Sequence, residues 1–414
     1  MRALLIYPRP DESKGARFGF SYEQVMLATI LQPYWEVTIK DYSCEIYDEQ
    51  WLIQKVKSGF FDILLIECDS FALKRAQNLK HAREIISMVQ GYVYVIAYGN
   101  YCSITKKHFA QADYTVQTND INAMLAQINM LSDVCQIPEI PNDDNLPYIN
   151  RGLLSNIDYY RRNGQNTLLQ TSKGCENTCI FCQRKGWQNH YIAYSDEYVI
   201  GEFQHLHEQG YVNVWIIDEN FTFNLVRAKR ILTKLHEESL TRGMNLFISS
   251  WTNIDQEFLD LAACCNIKII SFGIESGNEE ILAFYRKNID LDEAAAMVQY
   301  ANSIGIFTVG NFILGAPIET EETIEKTFSF ILRCNFDQVN IKILDYMIGS
   351  ELYDSLPLLL KGSDHIFACA ENGLTTLTMS TMIQKKDTFL KGYYDGRKKE
   401  IEKKIVRFGM PYML

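Results

Sequence analysis

Short apolar runs alternate with helix-like segments over the first 131 residues of the chain. The apolar runs are β-branched or aromatic and are bounded by polar, Gly or Pro positions: Ala3–Tyr7, Val37–Tyr42, Asp62–Glu67, Tyr92–Tyr98 and Tyr114–Gln117. Segments with helical spacing lie between them: Tyr22–Leu31, Glu49–Lys57, Leu73–Gln90 and Asp120–Leu131. Because continuous apolar runs of this length suit strands buried on both faces, the pattern predicts a doubly wound parallel α/β sheet over residues 1–135.

A break and a second alternation follow. Residues 136–150 hold three of the nine prolines, and we predict a linker over residues 136–165. Six further strand candidates come next: Leu168–Thr171, Asn213–Ile217, Leu246–Ser249, Ile267–Phe272, Thr308–Leu314 and Gln338–Ile343. The helical segments between and around them are Asp196–Glu208, Leu225–Arg242, Asp255–Ala263, Glu279–Tyr285, Leu291–Ser303 and Thr320–Arg333. Six βα units predict a partial, TIM-like (β/α)6 barrel over residues 166–350, with its chemistry at the carboxyl ends of the strands.

The remaining residues, 351–414, form a less regular C-terminal extension. Its segment Lys385–Lys404 holds eight Lys or Arg residues and four Asp or Glu residues. We interpret this segment as a solvated helix that covers the barrel mouth.

Composition and charge argue against a nucleic-acid-binding protein, a membrane protein and a disulfide-bonded secreted protein. The chain has 414 residues, is 47% hydrophobic and carries a formal charge of −11, which argues against a nucleic-acid partner. No uncharged run reaches the length of a membrane span, and prolines interrupt the N-terminal apolar run before a signal peptide can form. We therefore expect a cytoplasmic protein. The eleven cysteines, an odd count, argue against a disulfide framework and leave thiols that can hold a metal.

The sharpest local motif is TSKGCENTCIFCQRKGW, which spaces Cys175, Cys179 and Cys182 as C-x3-C-x2-C directly after the first barrel strand. Three thiolates on a short loop can converge on one centre, whereas iron–sulfur clusters usually take four cysteines. Two interpretations stay open. A fourth ligand, with His190 nearest, completes a tetrahedral zinc site, or a cluster keeps one iron open to a non-protein ligand.

Further motifs accompany the cysteines in order along the chain. Phe181 precedes the last motif cysteine, and the later strands carry IIDENFTFN (Ile216–Asn224), SFGIESG (Ser271–Gly277) and NFILGAPIET (Asn311–Thr320). In these segments the chain resembles the radical S-adenosylmethionine (SAM) superfamily over about residues 166–350. The family fold is a partial (β/α)6 barrel, in agreement with the strand count.

The resemblance implies a specific chemistry. Cys175, Cys179 and Cys182 would bind a 4Fe–4S cluster whose open iron takes the amino and carboxylate groups of SAM. An electron donor such as flavodoxin or ferredoxin would reduce the cluster, and cleavage of SAM would yield a 5′-deoxyadenosyl radical that abstracts hydrogen from an unactivated carbon. The protein would tune the cluster, orient the adenosyl group and exclude water.

The resemblance also suggests cofactor contacts besides Phe181. Glu275 ends an apolar strand, where an unpaired carboxylate is costly, so it contacts the cofactor or else pairs with Lys268 or Arg286. The other candidates for contacts to the methionyl group or the adenine are Asp218, Glu219, Asn220, Ser249, Lys287, Gly310 and Gly315. Their alternatives are helix capping for the first three and barrel packing for the glycines.

The first domain resembles the Rossmann-type cobalamin-binding domain of the class B methyltransferase-like radical SAM subclass. The similar segments are Pro8–Pro10, Phe20–Leu31, Glu67–Phe71 and Gly99–Ser103. The chain lacks an Asp-x-His-x-x-Gly motif. It has Tyr98-Gly99-Asn100 where the subclass usually has a double glycine, and Ile66–Ser70 where a small Gly–Ser pair is common. The resemblance implies cobalamin-dependent methylation of an unactivated carbon in a small molecule, lipid or peptide.

Two alternatives stay open. The same barrel without cobalamin would run another radical reaction, such as epimerisation, cyclisation, rearrangement or oxidation. Epimerisation needs a hydrogen-atom donor, and the candidates are Cys102, Cys264, Cys265, Cys334 and Cys369. The other alternative is a non-catalytic binding module that holds zinc.

Overall fold

The computed structural model describes residues 1–9, 20–68, 78–99, 101–102, 109–116, 121–131, 136–154, 156–157, 166–183 and 190–407. The chain divides after Leu168 into two compact units, Met1–Leu168 and Leu169–Leu414. The linker predicted over 136–165 belongs to the first unit, and the C-terminal extension belongs to the second.

The first unit is built on a five-stranded parallel sheet in the order β2-β1-β3-β4-β5. The strands are β1 (Arg2–Tyr7), β2 (Glu36–Asp41), β3 (Ile63–Glu67), β4 (Tyr94–Tyr98) and β5 (Tyr114–Val116). The helices are α1 (Tyr22–Leu31), α2 (Glu49–Lys57), α3 (Leu79–Val89) and α4 (Ile121–Asn129). The predicted doubly wound sheet is confirmed. The strand order reverses between β1 and β3, which is where sheets of this type bind ligands.

The second unit holds six parallel strands that follow one another in sequence, in the order β13-β12-β11-β10-β9-β6. They are β6 (Asn166–Leu169), β9 (Asn213–Ile216), β10 (Asn245–Ser250), β11 (Ile267–Glu275), β12 (Phe307–Leu314) and β13 (Gln338–Ile343). Two short antiparallel ribbons add β7 (Ser172–Lys173) with β8 (Ile192–Ala193) and β14 (Asp345–Met347) with β15 (His365–Phe367). The predicted partial barrel is confirmed.

Helices of the second unit begin at side-chain caps. The helices are α5 (Asp196–Glu208), α6 (Leu225–Glu237), α7 (Gln256–Cys264), α8 (Glu279–Phe284), α9 (Leu291–Ser303), α10 (Glu321–Cys334), α11 (Glu351–Asp354), α12 (Met379–Tyr394) and α13 (Lys398–Arg407). Ser195, Asn224 and Asp255 each accept a backbone N–H from the first turn of the following helix. Helix α6 ends five residues before the predicted Arg242, because Ser239 adopts a left-handed backbone conformation with φ +57°.

The last helix of the C-terminal extension, α13, lies at the amino end of the barrel. Ile405 of α13 packs in one apolar cluster with Phe247, Ile269 and Phe307, which lie near the starts of their strands. Lys404 anchors the helix by donating to both carboxylate oxygens of Asp337, at 2.9 and 2.7 Å. Residues 385–404 are helical and largely exposed, as expected, but they belong to two helices, α12 and α13. The expectation that they cover the barrel mouth is wrong for α13, because Ile401 and Ile405 pack against the strand starts.

Polar side chains cross the middle of the sheet. Asn311 donates from Nδ2 to Oγ of Ser271 at 2.8 Å, and Asn340 donates to Oδ1 of Asn311 at 3.1 Å. All three side chains are half-buried, above the apolar cluster at the strand starts.

Within the described ranges, no helix combines the length and apolar character needed to cross a bilayer.

Candidate active site

The three motif cysteines lie on the loop between β7 and β8, at the carboxyl end of the first barrel strand. Each thiol is partly exposed. Gly174 turns the chain into the loop with φ +72°, and its N–H donates to Oε2 of Glu219 at 2.9 Å. Inside the loop, the Cys182 N–H donates to the Cys179 carbonyl at 3.1 Å. The loop is therefore held at its start by the Gly174–Glu219 hydrogen bond, and a turn brings Cys182 close to Cys179.

The Cys179 thiol lies in a mixed electrostatic environment. Burial raises its pKa to about 12, and the Lys287 ammonium opposes that shift. The thiols of Cys182 and Cys175 and the Glu275 carboxylate act in the same direction as burial. The barrel rim around this thiol thus combines the other two thiols, a cation and a carboxylate.

No group of three or more His, Cys, Asp or Glu side chains within the described ranges is arranged to hold a metal ion without rearrangement. His190, the fourth ligand considered for zinc, is exposed. Thiolate sulfur is nevertheless the donor that iron–sulfur clusters require, and a nearby cation favours the thiolate form. The donor chemistry of the loop fits a cluster held by three cysteines.

Asp218 follows β9 and is fully buried. Its carboxylate accepts hydrogen bonds from the Thr171 backbone N–H at 2.7 Å, the Thr171 hydroxyl at 2.5 Å and the Ser172 hydroxyl at 2.6 Å. Arg227 donates to the Thr171 carbonyl at 2.7 Å from the other side. Asp218 thus holds the chain segment that enters the cysteine loop.

Glu219 and Asn220 follow directly. Glu219 holds Gly174, as described above. Oδ1 of Asn220 accepts from the Trp251 N–H at 3.2 Å and from the Thr222 hydroxyl at 3.0 Å, which joins the ends of β9 and β10. The three polar residues after β9 therefore brace neighbouring strand ends, and their predicted contact with the methionyl amine stays a prediction.

Glu275 ends β11 with φ +76° and pairs with Lys287 across 3.2 Å. The alternative partners considered for Glu275 are engaged elsewhere, since Lys268 donates to Asn266 and Arg286 pairs with Glu351. Lys287 is buried, also donates to the Gly273 carbonyl, and lies 4.2 Å from the centre of the Trp251 ring. Two residues predicted separately as cofactor contacts thus form one pair beside Cys179.

The remaining predicted contacts occupy different depths of the barrel. Ser249 is half-buried, and its register partner across β10 and β11 is Ser271. A Cβ on Gly310 would lie 2.8 Å from the Phe312 ring and 3.0 Å from the Phe336 ring, so packing alone demands glycine there. Gly315 has φ +106° at the carboxyl end of β12, where only glycine is unstrained.

Phe181 packs edge-on against Tyr285, with ring centroids 5.1 Å apart. The Tyr285 hydroxyl is fully buried without a hydrogen-bond partner, and burial together with the carboxylates of Glu319 and Glu275 raises its pKa well above the ordinary range. The sequence analysis did not predict Tyr285 or Glu319 as site residues. Glu319 could have been found, because it lies in the NFILGAPIET motif, whereas no motif marks Tyr285, the residue that packs against Phe181.

The structure separates the five candidate hydrogen-atom donors. Cys264, Cys265 and Cys334 lie next to strand starts, at the amino end of the barrel, and Cys265 donates to the Leu232 carbonyl at 3.0 Å. Cys369 follows Ala368, whose N–H donates to the carbonyl of Leu344 at the carboxyl end of β13. Cys102 lies in the first unit and is buried. Of the four in the second unit, Cys369 alone is at the end that carries the cysteine loop.

In the first unit, part of three of the four cobalamin-like segments falls outside the described residues, namely Pro10, residues 69–71, Asn100 and Ser103, whereas Phe20–Leu31 is described in full. At the strand ends that are described, the buried Glu67 accepts hydrogen bonds from the hydroxyls of Ser21 and, at 3.4 Å, Tyr98. Gly99 has φ +142° and follows β4. Gln24, in the first turn of α1, is fully buried, and neither atom of its amide has a hydrogen-bond partner among the residues that the structure describes.

Comparisons with known proteins find a family match within the second unit and relatives that cover about half of the chain. Residues 169–331 match the sequence profile of the Radical SAM superfamily. An uncharacterized methyltransferase of Pyrococcus horikoshii is 31% identical over 227 residues, which are 52% of this chain and 48% of that protein. Cytidylyl-2-hydroxyethylphosphonate methyltransferase of Streptomyces wedmorensis is 27% identical over 193 residues, 44% of this chain and 36% of that protein. The chain thus spans less than half the length of these relatives.

Among solved structures, the chain is similar to that of the radical S-adenosylmethionine methyltransferase TsrM from Kitasatospora setae with cobalamin and a [4Fe-4S] cluster bound. The TM-score is 0.67 with 17% identity, over 85% of this chain and 73% of that one. At this identity the likeness concerns the fold, and it agrees with the two α/β units described above. The profile match contains all three motif cysteines and the strands that carry Asp218 and Glu275, so the part of the chain that is similar to the Radical SAM superfamily, residues 169–331, includes the candidate site.

Proposed function

We propose that this chain is a radical SAM methyltransferase that uses cobalamin to methylate an unactivated carbon of a small molecule, lipid or peptide. The observation that carries the proposal is the three-thiol loop at the carboxyl end of the barrel, beside the buried Glu275–Lys287 pair. We also propose that the reaction takes place in the cytoplasm, with an electron donor such as flavodoxin or ferredoxin.

Cys175, Cys179 and Cys182 would hold the 4Fe–4S cluster, which when bound supplies the electron for reductive cleavage of SAM. The chain itself orients the ligands. Glu219 fixes the loop base through Gly174, and the Lys287 ammonium favours the thiolate form of Cys179. Phe181 and Tyr285 place aromatic surface against the loop and exclude water from one side of it.

The rim of the barrel offers polar groups for SAM. Glu275 and Lys287 present a carboxylate and an ammonium of the kind that pair with an α-amino and an α-carboxylate group. The backbone after β12, which Gly315 turns with φ +106°, would lie against the adenine. The half-buried Ser249, Ser271 and Asn311 line the sheet below and are suited to hydrogen bonding with a substrate.

Support for cobalamin comes from the first unit. A buried amide without partners costs about 1–3 kcal/mol, so Gln24 points to a missing hydrogen-bonding group at this place. Corrinoids carry peripheral carboxamides, and Gln24 lies within the segment Phe20–Leu31 that resembles the corrin-contacting segment of the subclass. Gln24 would bind such a group, and a bound cobalamin would supply the methyl carrier.

The cluster is tested by anaerobic purification with iron, an absorption spectrum and measurement of 5′-deoxyadenosine formed from SAM with a chemical reductant. Wild type should be brown and active, and alanine at Cys175, Cys179 or Cys182 should abolish product. Cys264→Ala, at the exposed amino end, is the matched control and should retain activity. A colourless protein that holds one zinc ion would refute the proposal.

Cobalamin dependence needs a separate test. We expect wild type to retain added hydroxocobalamin through anaerobic gel filtration and Gln24→Leu to retain at least fivefold less. The same variant should be more stable than wild type without cobalamin, because leucine removes the unsatisfied amide. Gln90→Leu, at an exposed position, is the control. A wild type that forms 5′-deoxyadenosine but takes up no corrinoid would favour the cobalamin-independent radical reaction.

A further inference from the structure

The loop that follows β12 is ordered by its own glutamate. The loop comprises Gly315–Glu319, and we refer to it as the fifth-strand loop. Oε2 of Glu319 accepts the backbone N–H groups of Gly315 and, at 3.1 Å, Ala316. The Glu319 N–H in turn donates to the Ala316 carbonyl at 2.9 Å. These bonds close the loop on itself at the carboxyl end of the strand.

A segment about 50 residues later in the chain forms hydrogen bonds with the same loop. This segment, Ala368–Met382, is called the C-terminal clasp below. The Thr375 hydroxyl donates to the Ala316 carbonyl at 2.9 Å, and the Thr376 hydroxyl donates to the Glu319 carbonyl at 2.8 Å. Thr375 is only 7% exposed, so water competes poorly for its bond.

The clasp also packs directly on the strand end. A Cβ placed on Gly315 would lie 3.3 Å from Sδ of Met382 and 3.5 Å from Cβ of Ala368, so the clasp leaves no free space on that side. Ala368 and Met382 are both fully buried. The fifth-strand loop therefore lies between the barrel and the clasp.

Helix α12 anchors the clasp to the helix that the loop precedes. The Lys385 ammonium lies 3.0 Å from Glu321 and 3.1 Å from Glu325 on α10. The rings of Phe328 and Phe389 stack with centroids 4.1 Å apart. Loop, α10 and clasp thus form one connected body, whose clasp lies outside the residues that match the family profile.

Contacts link this body to the cysteine loop. The Glu319 carboxylate interacts electrostatically with Tyr285, and Tyr285 packs against Phe181 between two of the motif cysteines. Ile180, Tyr285, Ala316 and Ala368 also belong to one apolar cluster, so the cysteine loop, the fifth-strand loop and the clasp pack against one another. The fifth-strand loop lies within the residues that match the family profile, and the clasp lies beyond them.

We propose that the C-terminal clasp sets the position of the fifth-strand loop through Thr375 and Thr376 and thereby determines the affinity for SAM. Thr375 and Thr376 are positioning residues, since they act through backbone carbonyls of the loop and through Gly315. The inference rests on the proposed function for its ligand, whereas the contacts that carry it are independent of that ligand.

The test uses the full chain with its cluster reconstituted anaerobically. In Thr375→Val the hydroxyl is replaced by a methyl group of similar size. We expect faster amide hydrogen exchange in peptides covering residues 310–320 and about fivefold weaker equilibrium binding of SAM, the loss typical of one buried hydrogen bond. Thr375→Ser should restore both properties because it restores the donor.

The matched control is Thr233→Val in α6, where the hydroxyl donates to the Lys229 carbonyl at 2.9 Å away from the site. If Thr375→Val lowers the melting temperature no more than this control yet weakens SAM binding, a merely structural role is excluded. Unchanged exchange at residues 310–320, or faster exchange with unchanged SAM affinity, would overturn the proposal. A wild type that fails to bind SAM would overturn the proposed function and the affinity claim together, and the exchange data would still decide whether the clasp orders the loop.

Discussion

The ammonium group of Lys287 lies 3.2 Å from Oε1 of Glu275, and its side chain is 1% exposed. Lys287 also contacts the Trp251 ring and donates to the Gly273 carbonyl. Burying both charges is costly unless they remain paired, so this pair is a sensitive element of the barrel rim.

Lys287→Met should lower the free energy of unfolding of the second unit by about 3 kcal/mol, because it leaves the Glu275 carboxylate buried without its cation. In Glu275→Gln/Lys287→Met the loss should be smaller than the sum of the two single losses. Denaturant unfolding of the ligand-free chain measures these values. Arg286→Met is the control: Arg286 pairs with Glu351 at the surface, where solvent screens the charges, so its removal should cost much less than that of Lys287. Additive losses would contradict the coupling.

Glu319 predicts a pH dependence of the second unit. Burial raises its pKa from 4.5 to about 7, against the opposing effect of the Gly315 and Ala316 N–H groups. The folded state therefore holds the proton more tightly than the unfolded state. Its stabilising contribution is fully present below pH 4.5 and is lost as the pH rises through 7, by about 3 kcal/mol in total.

Glu319→Gln removes this titration. We expect its free energy of unfolding to fall less than that of wild type between pH 5 and pH 8, as measured by urea unfolding at a series of pH values. Parallel pH profiles for the two proteins would show that Glu319 titrates normally.

The lowered pKa of His81 predicts the opposite pH dependence for the stability of the first unit. Burial, with a smaller contribution from Arg9, lowers the pKa of this imidazole from 6.5 to about 4. Nδ1 accepts the Arg9 backbone N–H at 2.9 Å, and the ring packs edge-on against Tyr47 at 4.6 Å. Because the unfolded state binds the proton more readily, stability is lost as the pH falls from 6.5 towards 4, by about 2 kcal/mol at pH 5.

His81→Phe keeps an aromatic ring without the titrating nitrogen, so it should remove much of this acid sensitivity. Amide exchange in peptides from α3, compared at pH 5 and pH 7 after correction for intrinsic rates, reports it. A variant as acid-sensitive as wild type would assign the effect to another group.

Gly99 predicts a severe packing defect in the first unit. A Cβ there would lie 2.1 Å from the Cys68 carbonyl oxygen, and φ is +142°. Gly99→Ala should therefore cost about 3 kcal/mol or more through overlap and backbone strain. Gly59→Ala is the matched control, since Gly59 has φ +65° but no neighbour within 4 Å of the added atom. It should cost about 1 kcal/mol, and equal losses in urea unfolding would contradict the packing argument.

The alternation of apolar runs and helical segments predicted both sheets, because strand burial and helix periodicity are local properties of the pattern. The starts of the helices could also be predicted, because Ser195, Asn224 and Asp255 are capping residues at the points where the helical pattern begins. The end of α6 was misplaced because one left-handed residue, Ser239, ends it without a Gly or Pro signal.

The sequence by itself also determined the cysteine spacing and the polar strand ends, and with them the resemblance of residues 169–331 to the radical SAM superfamily. Only the tertiary structure decided which partners these groups have. Asp218 meets Thr171 from 47 residues away, and Thr375 meets Ala316 from 59 residues away. A hydroxyl or carboxylate has the same appearance in the sequence whether it caps a helix, binds a ligand or holds a distant loop. Its role depends on which backbone groups the fold brings within 3 Å, and α13 at the amino end of the barrel shows the same for apolar faces.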